Sequence, residues 1–160
     1  MPNWCYNYLH LDNPESKNGL RMIAAFEQMN ELEKASNQGQ QVPGIDMNDY
    51  FFSIGDECTE QISFETKWGL DIGDMKKVAE HFQADFECDY EEHGSSVYGR
   101  IIYKDGVFTD YSLDEEDTAA IQFDDDDDFI PIKLGSYIVD CESEALEYLL
   151  EQKIAACQSS

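Results

Sequence analysis

Five cysteines, three histidines and 35 carboxylates are the side chains in this 160-residue chain whose types could do chemistry. Cys5, Cys58, Cys88, Cys141 and Cys157 are scattered, with no C-x-x-C pair, which excludes a zinc ribbon and a thioredoxin-type motif. An odd number of dispersed thiols reads as free cysteine in a reducing cytosol. Cys88 lies between Glu87 and Asp89, whose charge would raise its pKa, and it alternates with Phe86 and Tyr90 as a core residue would. Cys5 and His10 fall on opposite faces of one strand, which separates them as a dyad. His81 and His93 lack metal-ligand spacing such as H-x-x-x-H or H-E-x-x-H. Dinucleotide, P-loop and nucleophile-elbow signatures are missing, and the carboxylates are too many to single out an acid–base pair. On this reading no catalytic residue, metal ligand or cofactor is assigned.

The carboxylates carry the strongest signal. Against ten Lys and Arg they give a net charge of −25 and a pI near 4.1. Such a surface repels nucleic acid and anionic membranes and attracts basic proteins or divalent cations. From Asp105 to Ile132 there are eleven acids and no Lys or Arg. Within it, Asp114, Glu115, Glu116 and Asp117 form one cluster, and Asp124, Asp125, Asp126, Asp127 and Asp128 another. A third is interleaved in a strand: Glu87, Asp89, Glu91 and Glu92. An EF-hand beginning at Asp124 would need Gly at position six and Glu at position twelve, where Phe129 and Gly135 stand, so that motif fails. Three readings of the run remain: a solvated acidic loop, a weak cation-binding site, or a surface that imitates the phosphates of duplex DNA, which carries one charge per roughly 1.7 Å of axis.

The elements that must position these groups follow from periodicity. Asn3–Leu11 reads as a strand with Trp4, Tyr6 and Tyr8 on one face and Cys5, Asn7, Leu9 and Leu11 on the other. Leu20–Ala35 reads as a helix behind an Asn13 or Ser16 cap, with Leu20, Ile23, Phe26, Met29 and Leu32 as its apolar stripe. Residues 36–44 are loop, and 45–59 hold aromatics without a period, a short helix or an insertion packed on the sheet. Ile62–Trp68 alternates as a strand, and Ile72, Met75, Val78, Ala79 and Phe82 recur at helical spacing. Phe86–Glu92 and Val97–Lys104 are strands around a Gly94-Ser95-Ser96 turn, and Asp105-Gly106 announces a two-residue hairpin into Val107–Leu113. Phe129–Val139 is apolar but interrupted by Pro131, and Ser143 is placed to cap a last helix facing inward through Leu146, Leu149, Leu150 and Ile154.

The opening Met1-Pro2-Asn3-Trp4-Cys5-Tyr6-Asn7 resembles the M-P-N-W-C-x-N start of the Api92-like proteins, the plasmid YubB ferredoxin-like family. Phe64-Glu65-Thr66-Lys67-Trp68 is similar to that family's F-x-T-x-W strand, and Phe86–Glu92 with Tyr98-Gly99-Arg100 to its F-x-x-x-Y-x-E…G pair. These matches span Met1–Asp110, and beyond them no counterpart is evident. The resemblance implies a ferredoxin-like fold, an origin in bacteriophages, plasmids or integrated elements, and a family without an assigned activity.

The fold class expected is therefore α+β: a ferredoxin-like antiparallel sheet with two helices on one face, residues 1–112, extended by an acidic segment and C-terminal helix, 113–160, packing on the same domain. The N-terminus shows neither the basic nor the apolar region of a signal peptide, so a cytoplasmic protein is expected. The expected function is non-enzymatic: a mobile-element accessory protein that binds a basic partner, in its sharpest form a DNA mimic inhibiting a host nuclease or defence system. The alternatives are a small enzyme whose site gathers Cys5, Cys58 or His81 with carboxylates, and a module that forms homodimers. Base stacking on Trp4, Tyr6, Tyr8 and Trp68 is disfavoured, because the basic residues that should accompany it are missing.

Overall fold

A computed structural model describes residues 3–55, 59–92, 97–126 and 128–159. Its chain order is β1 (Trp4–Leu11), α1 (Lys17–Ser36), β2 (Gln61–Lys67), α2 (Ile72–Phe82), β3 (Phe86–Glu92), β4 (Val97–Lys104), β5 (Val107–Ser112), β6 (Ile132–Leu134), β7 (Tyr137–Val139) and α3 (Glu142–Gln158). The first five strands form one sheet in the order β2-β1-β3-β4-β5, every neighbouring pair antiparallel. The fold is α+β and ferredoxin-like, with the split β–α–β unit supplied by β2, α2 and β3 flanking β1.

Alternation decides which face is covered. Cys5, Asn7, Leu9 and Leu11 on β1, Ile62, Phe64 and Thr66 on β2, Phe86, Cys88 and Tyr90 on β3, and Ile101 and Tyr103 on β4 all turn inward. There they join Met22, Phe26 and Met29 of α1 and Met75, Val78, Ala79 and Phe82 of α2 in one core. Asp71 caps α2 through its side chain, and the hairpin at Asp105-Gly106 has positive φ at both residues, 52° and 81°, as a type I′ turn requires.

Three expectations are corrected, and of the two readings of the segment after α1 the insertion holds over the short helix. Helix α1 begins at Lys17 behind Ser16, whose hydroxyl accepts from Gly19 N–H, and its inward stripe is Met22, Phe26, Met29 and Asn30. Leu20 and Leu32 are exposed, because Asn30 must face inward to donate to Ile54 O at 2.7 Å. Trp68 is not part of the packing of β2: it has φ 62°, ends the strand and is 68% exposed. Segment 45–55 forms no helix; it sinks Met47, Phe51 and Ile54 into the core and pairs Phe52 with Glu65 along the outer edge of β2. Cys141, not Ser143, caps α3.

The C-terminal part packs on the opposite face of the sheet. Tyr98, whose side chain alternates away from Ile101, joins Ile121, Val139, Ala145, Leu146, Leu150 and Ile154 in a second cluster, with Tyr111 and Leu113 against it. Strands β6 and β7 make a separate two-stranded hairpin beside α3.

Candidate functional site

The sheet's outer face carries exposed aromatic and charged side chains. Register sets three outward residues of β1 beside carboxylates of β3: Tyr6 opposite Glu91, Tyr8 opposite Asp89, His10 opposite Glu87. On the other flank Trp4 faces Lys67, Tyr6 faces Glu65 and Tyr8 faces Ser63. Directly opposed side chains have Cβ atoms about 5 Å apart, so each pair is in contact range. Tyr8 is 53% exposed. Its hydroxyl pKa is pushed up by partial burial, then by the charge of Glu91, by Tyr6 and by Glu65.

Two cations of the chain already occupy parts of this face. Lys67 Nζ stands 5.6 Å from the Trp4 ring centre and 4.8 Å from that of Phe52. Arg100 forks onto Asp89, Nε to Oδ1 at 2.6 Å and Nη2 to Oδ2 at 3.4 Å. Of the strand acids singled out by sequence, Asp89 is thus neutralised within the molecule, and Glu91 accepts from Ser143 Oγ at 2.9 Å. Glu87 is exposed and Glu92 half-buried.

The acidic run is two structured turns. Asp114 and Asp117 bond each other's backbone N–H groups at 2.9 and 2.8 Å, and Lys153 of α3 reaches both carboxylates, at 3.7 and 2.5 Å. That amine holds the Asp117 carboxyl below its ordinary range. Glu115 and Glu116 between them are exposed. Asp124 accepts from the N–H groups of Asp126 and Asp128, and Phe123 pairs with Phe129, closing a turn on which Asp125, Asp126 and Asp128 are exposed. Asp127 lies outside the described residues.

Two buried polar groups escape a charge-based reading. Asn7, 1% exposed, donates from Nδ2 to Cys5 O at 3.1 Å, Phe64 O at 3.3 Å and Thr66 Oγ1 at 3.1 Å. Its signal in the sequence is an amide on the apolar side of an alternating strand. Asp74, equally buried, accepts from Asn48 N–H and Asp49 N–H and so staples the insertion to the start of α2. Asp49, Asp71 and Asp74 bring carboxylate oxygens within 4.8 Å of one another. Burial, then Asp71 and Asp74, raises the Asp49 pKa. The backbone donors and the capping bond of Asp71 account for this grouping.

The two buried thiols are poor nucleophiles. Cys5 is fully buried and pushed up to about 11, first by burial. Cys88 is raised well above its ordinary value, again by burial first and only then by Asp89; the acids flanking it in sequence point to the other face. His10 is exposed on the face opposite Cys5, as alternation requires. His81 stands on the outer side of α2, edge-on to Phe82. Cys58 and His93, with the 94–96 turn, lie outside the described residues.

A model of the ferredoxin-like domain in Api92-like protein matches residues 49–133, just over half of the chain. The chain belongs to this family. No curated protein matches it, and no solved structure does. The Api92-like match corrects the limit drawn at Asp110: it runs on through both acidic turns into β6.

Proposed function

We propose that this Api92-like chain is a non-enzymatic binding protein that captures a basic partner protein through acids gathered on the outer side of its sheet. One observation carries the reading. Helix α3 ties two of the three acidic clusters to the same side of the molecule, Ser143 bonding Glu91 at one end and Lys153 holding Asp117 at the other. Ten residues of helix separate these anchors, about 15 Å. Glu147 lies between them, near enough to help raise the Tyr98 pKa after burial and Asp89. A net charge of −25 then steers a cationic partner toward that side.

Set in a cell, the reading is a cytoplasmic accessory protein of a bacteriophage or plasmid. Among the described residues no helix is long and apolar enough to cross a membrane. Its sharpest form is a DNA mimic that occupies a host nuclease or defence protein. Arg100 and Lys153 interrupt the acids, so the mimic form needs the exposed members, Glu87, Glu115, Glu116, Asp124, Asp125, Asp126 and Asp128, to supply the phosphate-like charge.

The test is binding to a panel of basic nucleases and DNA-binding proteins at rising ionic strength, with duplex DNA as competitor. Binding that weakens as salt shortens the Debye length, about 10 Å at 0.1 M, supports capture of a basic partner. Competition by duplex DNA supports mimicry. Absence of any interaction at low ionic strength sinks both.

A further inference from the structure

We infer that the docking surface is the open half of the sheet's outer face, over β2, β1 and β3, and that its occupant is an arginine-bearing segment of the basic partner laid across Tyr8 between Glu65 and Glu87. The inference rests on the basic-partner reading and says where that partner sits and which cation it presents.

Coverage of the outer face stops part-way. Helix α3 packs over β4 and β5 through the cluster around Tyr98 and Leu146, and Tyr8, His10, Gln61 and Glu87 remain exposed beyond it. A tyrosine 53% exposed at the middle of an inner strand is a large aromatic surface that the fold leaves open. Its surroundings select the ligand. Tyr6 stands between Glu65 and Glu91, and Tyr8 between Ser63 and Asp89 with Glu65 and Glu87 diagonal to it. A guanidinium can lie flat on a ring while its edge donates to a carboxylate. An ammonium is a point charge that must choose between them.

The face already treats its own cations in both ways. Lys67 is stacked over Trp4 and Phe52 at one end, and Arg100 is forked on Asp89 nearer α3. Tyr8 stands one strand over from the Arg100 fork, in the same row of the register, and offers its ring together with the diagonal carboxylates of Glu65 and Glu87. Charge decides against other occupants. A second copy laid face to face would set Glu65 and Glu87 against like charges under a net −25 on each chain, and nucleic acid is repelled for the same reason.

The experiment uses the full chain and two probes of equal length, an arginine homopeptide and a lysine homopeptide, titrated at low ionic strength. The wild type should bind the arginine peptide roughly two- to fivefold more tightly, the worth of one exposed cation–π contact. Tyr8→Ala should abolish that preference, Tyr8→Phe should keep it, and Glu87→Gln should weaken both peptides. If both bind the wild type equally, arginine selection is overturned. If Tyr8→Ala and Glu87→Gln bind normally while neutralising Asp124, Asp125, Asp126 and Asp128 to Asn removes binding, the basic-partner reading stands and the assignment to the sheet face fails. If neither peptide binds at all, both fail together. Far-ultraviolet circular dichroism and a melting curve confirm that each variant is folded.

Discussion

Replacing Asn7 tests how the centre of the sheet is held. Its side-chain amide, buried between β1 and β2, supplies donors to two carbonyl oxygens and one hydroxyl at 3.1 to 3.3 Å. Asn7→Ala removes those donors and opens a small void. At about 1 kcal/mol for each of the amide's two N–H groups and a further 1–2 kcal/mol for the void, the loss is about 3–4 kcal/mol. Asn7→Asp keeps the volume but turns an acceptor-only carboxylate toward the same oxygens. It should be worse than the alanine variant at pH 7 by a further ~2 kcal/mol or more, because an unpaired buried charge is costlier than a void. The pH dependence fixes the cause. A carboxyl whose folded pKa is raised contributes its stability below the unfolded value, about 3.9, and loses it as pH rises through the folded value. The deficit of Asn7→Asp should therefore shrink on acidification from pH 7 to 5, while that of Asn7→Ala stays level. Urea unfolding of the three proteins at both values measures this. An aspartate variant as stable as the alanine variant at pH 7, or a deficit indifferent to pH, would refute the network.

Other outcomes follow from the same packing. Phe64→Ala removes a ring stacked 4.2 Å from Phe51 and 5.8 Å from Phe26 and should cost about 3–5 kcal/mol in denaturant unfolding, whereas Trp68→Ala should stay within about 0.5 kcal/mol. Gly99→Ala would put a methyl group 2.1 Å from the Tyr90 ring, so it should destabilise by about 1–3 kcal/mol. In native protein at neutral pH, Cys141 and Cys157 should label readily with a maleimide and Cys5 and Cys88 only after unfolding, as read by peptide mass. Above an ordinary thiol pKa of 9.0 the unfolded chain gives up the Cys5 proton while the folded chain keeps it to about 11, so stability should fall across that interval. The slope from Cys5 is at most about 1.4 kcal/mol per pH unit, and a Cys5→Ala variant should lack it.

Much of the scaffold is legible in the residues because strict alternation and helical spacing are local signals. Phe86, Cys88 and Tyr90 alternate with acids, Met75, Val78 and Phe82 recur at helical intervals, and Asp105-Gly106 names its own turn; these elements stand where the pattern puts them. The stripe of α1 does not, since its rotation is set by Asn30 reaching Ile54 across the insertion, a contact between residues far apart in sequence. Trp68 was hidden because a left-handed residue closing a strand keeps the alternation of the strand before it. For the proposed interaction surface, sequence supplies the acids but not their state. That Asp89 is neutralised by Arg100 and Asp117 by Lys153 depends on register and on where α3 comes to rest. The role proposed for Tyr8 rests on its exposure, which only the folded chain reveals.

Strand β4 turns Ile101 and Tyr103 into one core and Tyr98 into the other. Both clusters thus take their alignment from a single strand of alternating parity. Deleting or inserting one residue between Tyr98 and Ile101 would leave one side in step and flip the other, so no slip could satisfy both. The spacing from Tyr98 to Ile101 is a mechanical lock: the C-terminal helix cannot drift along the sheet without dragging a strand out of the main core.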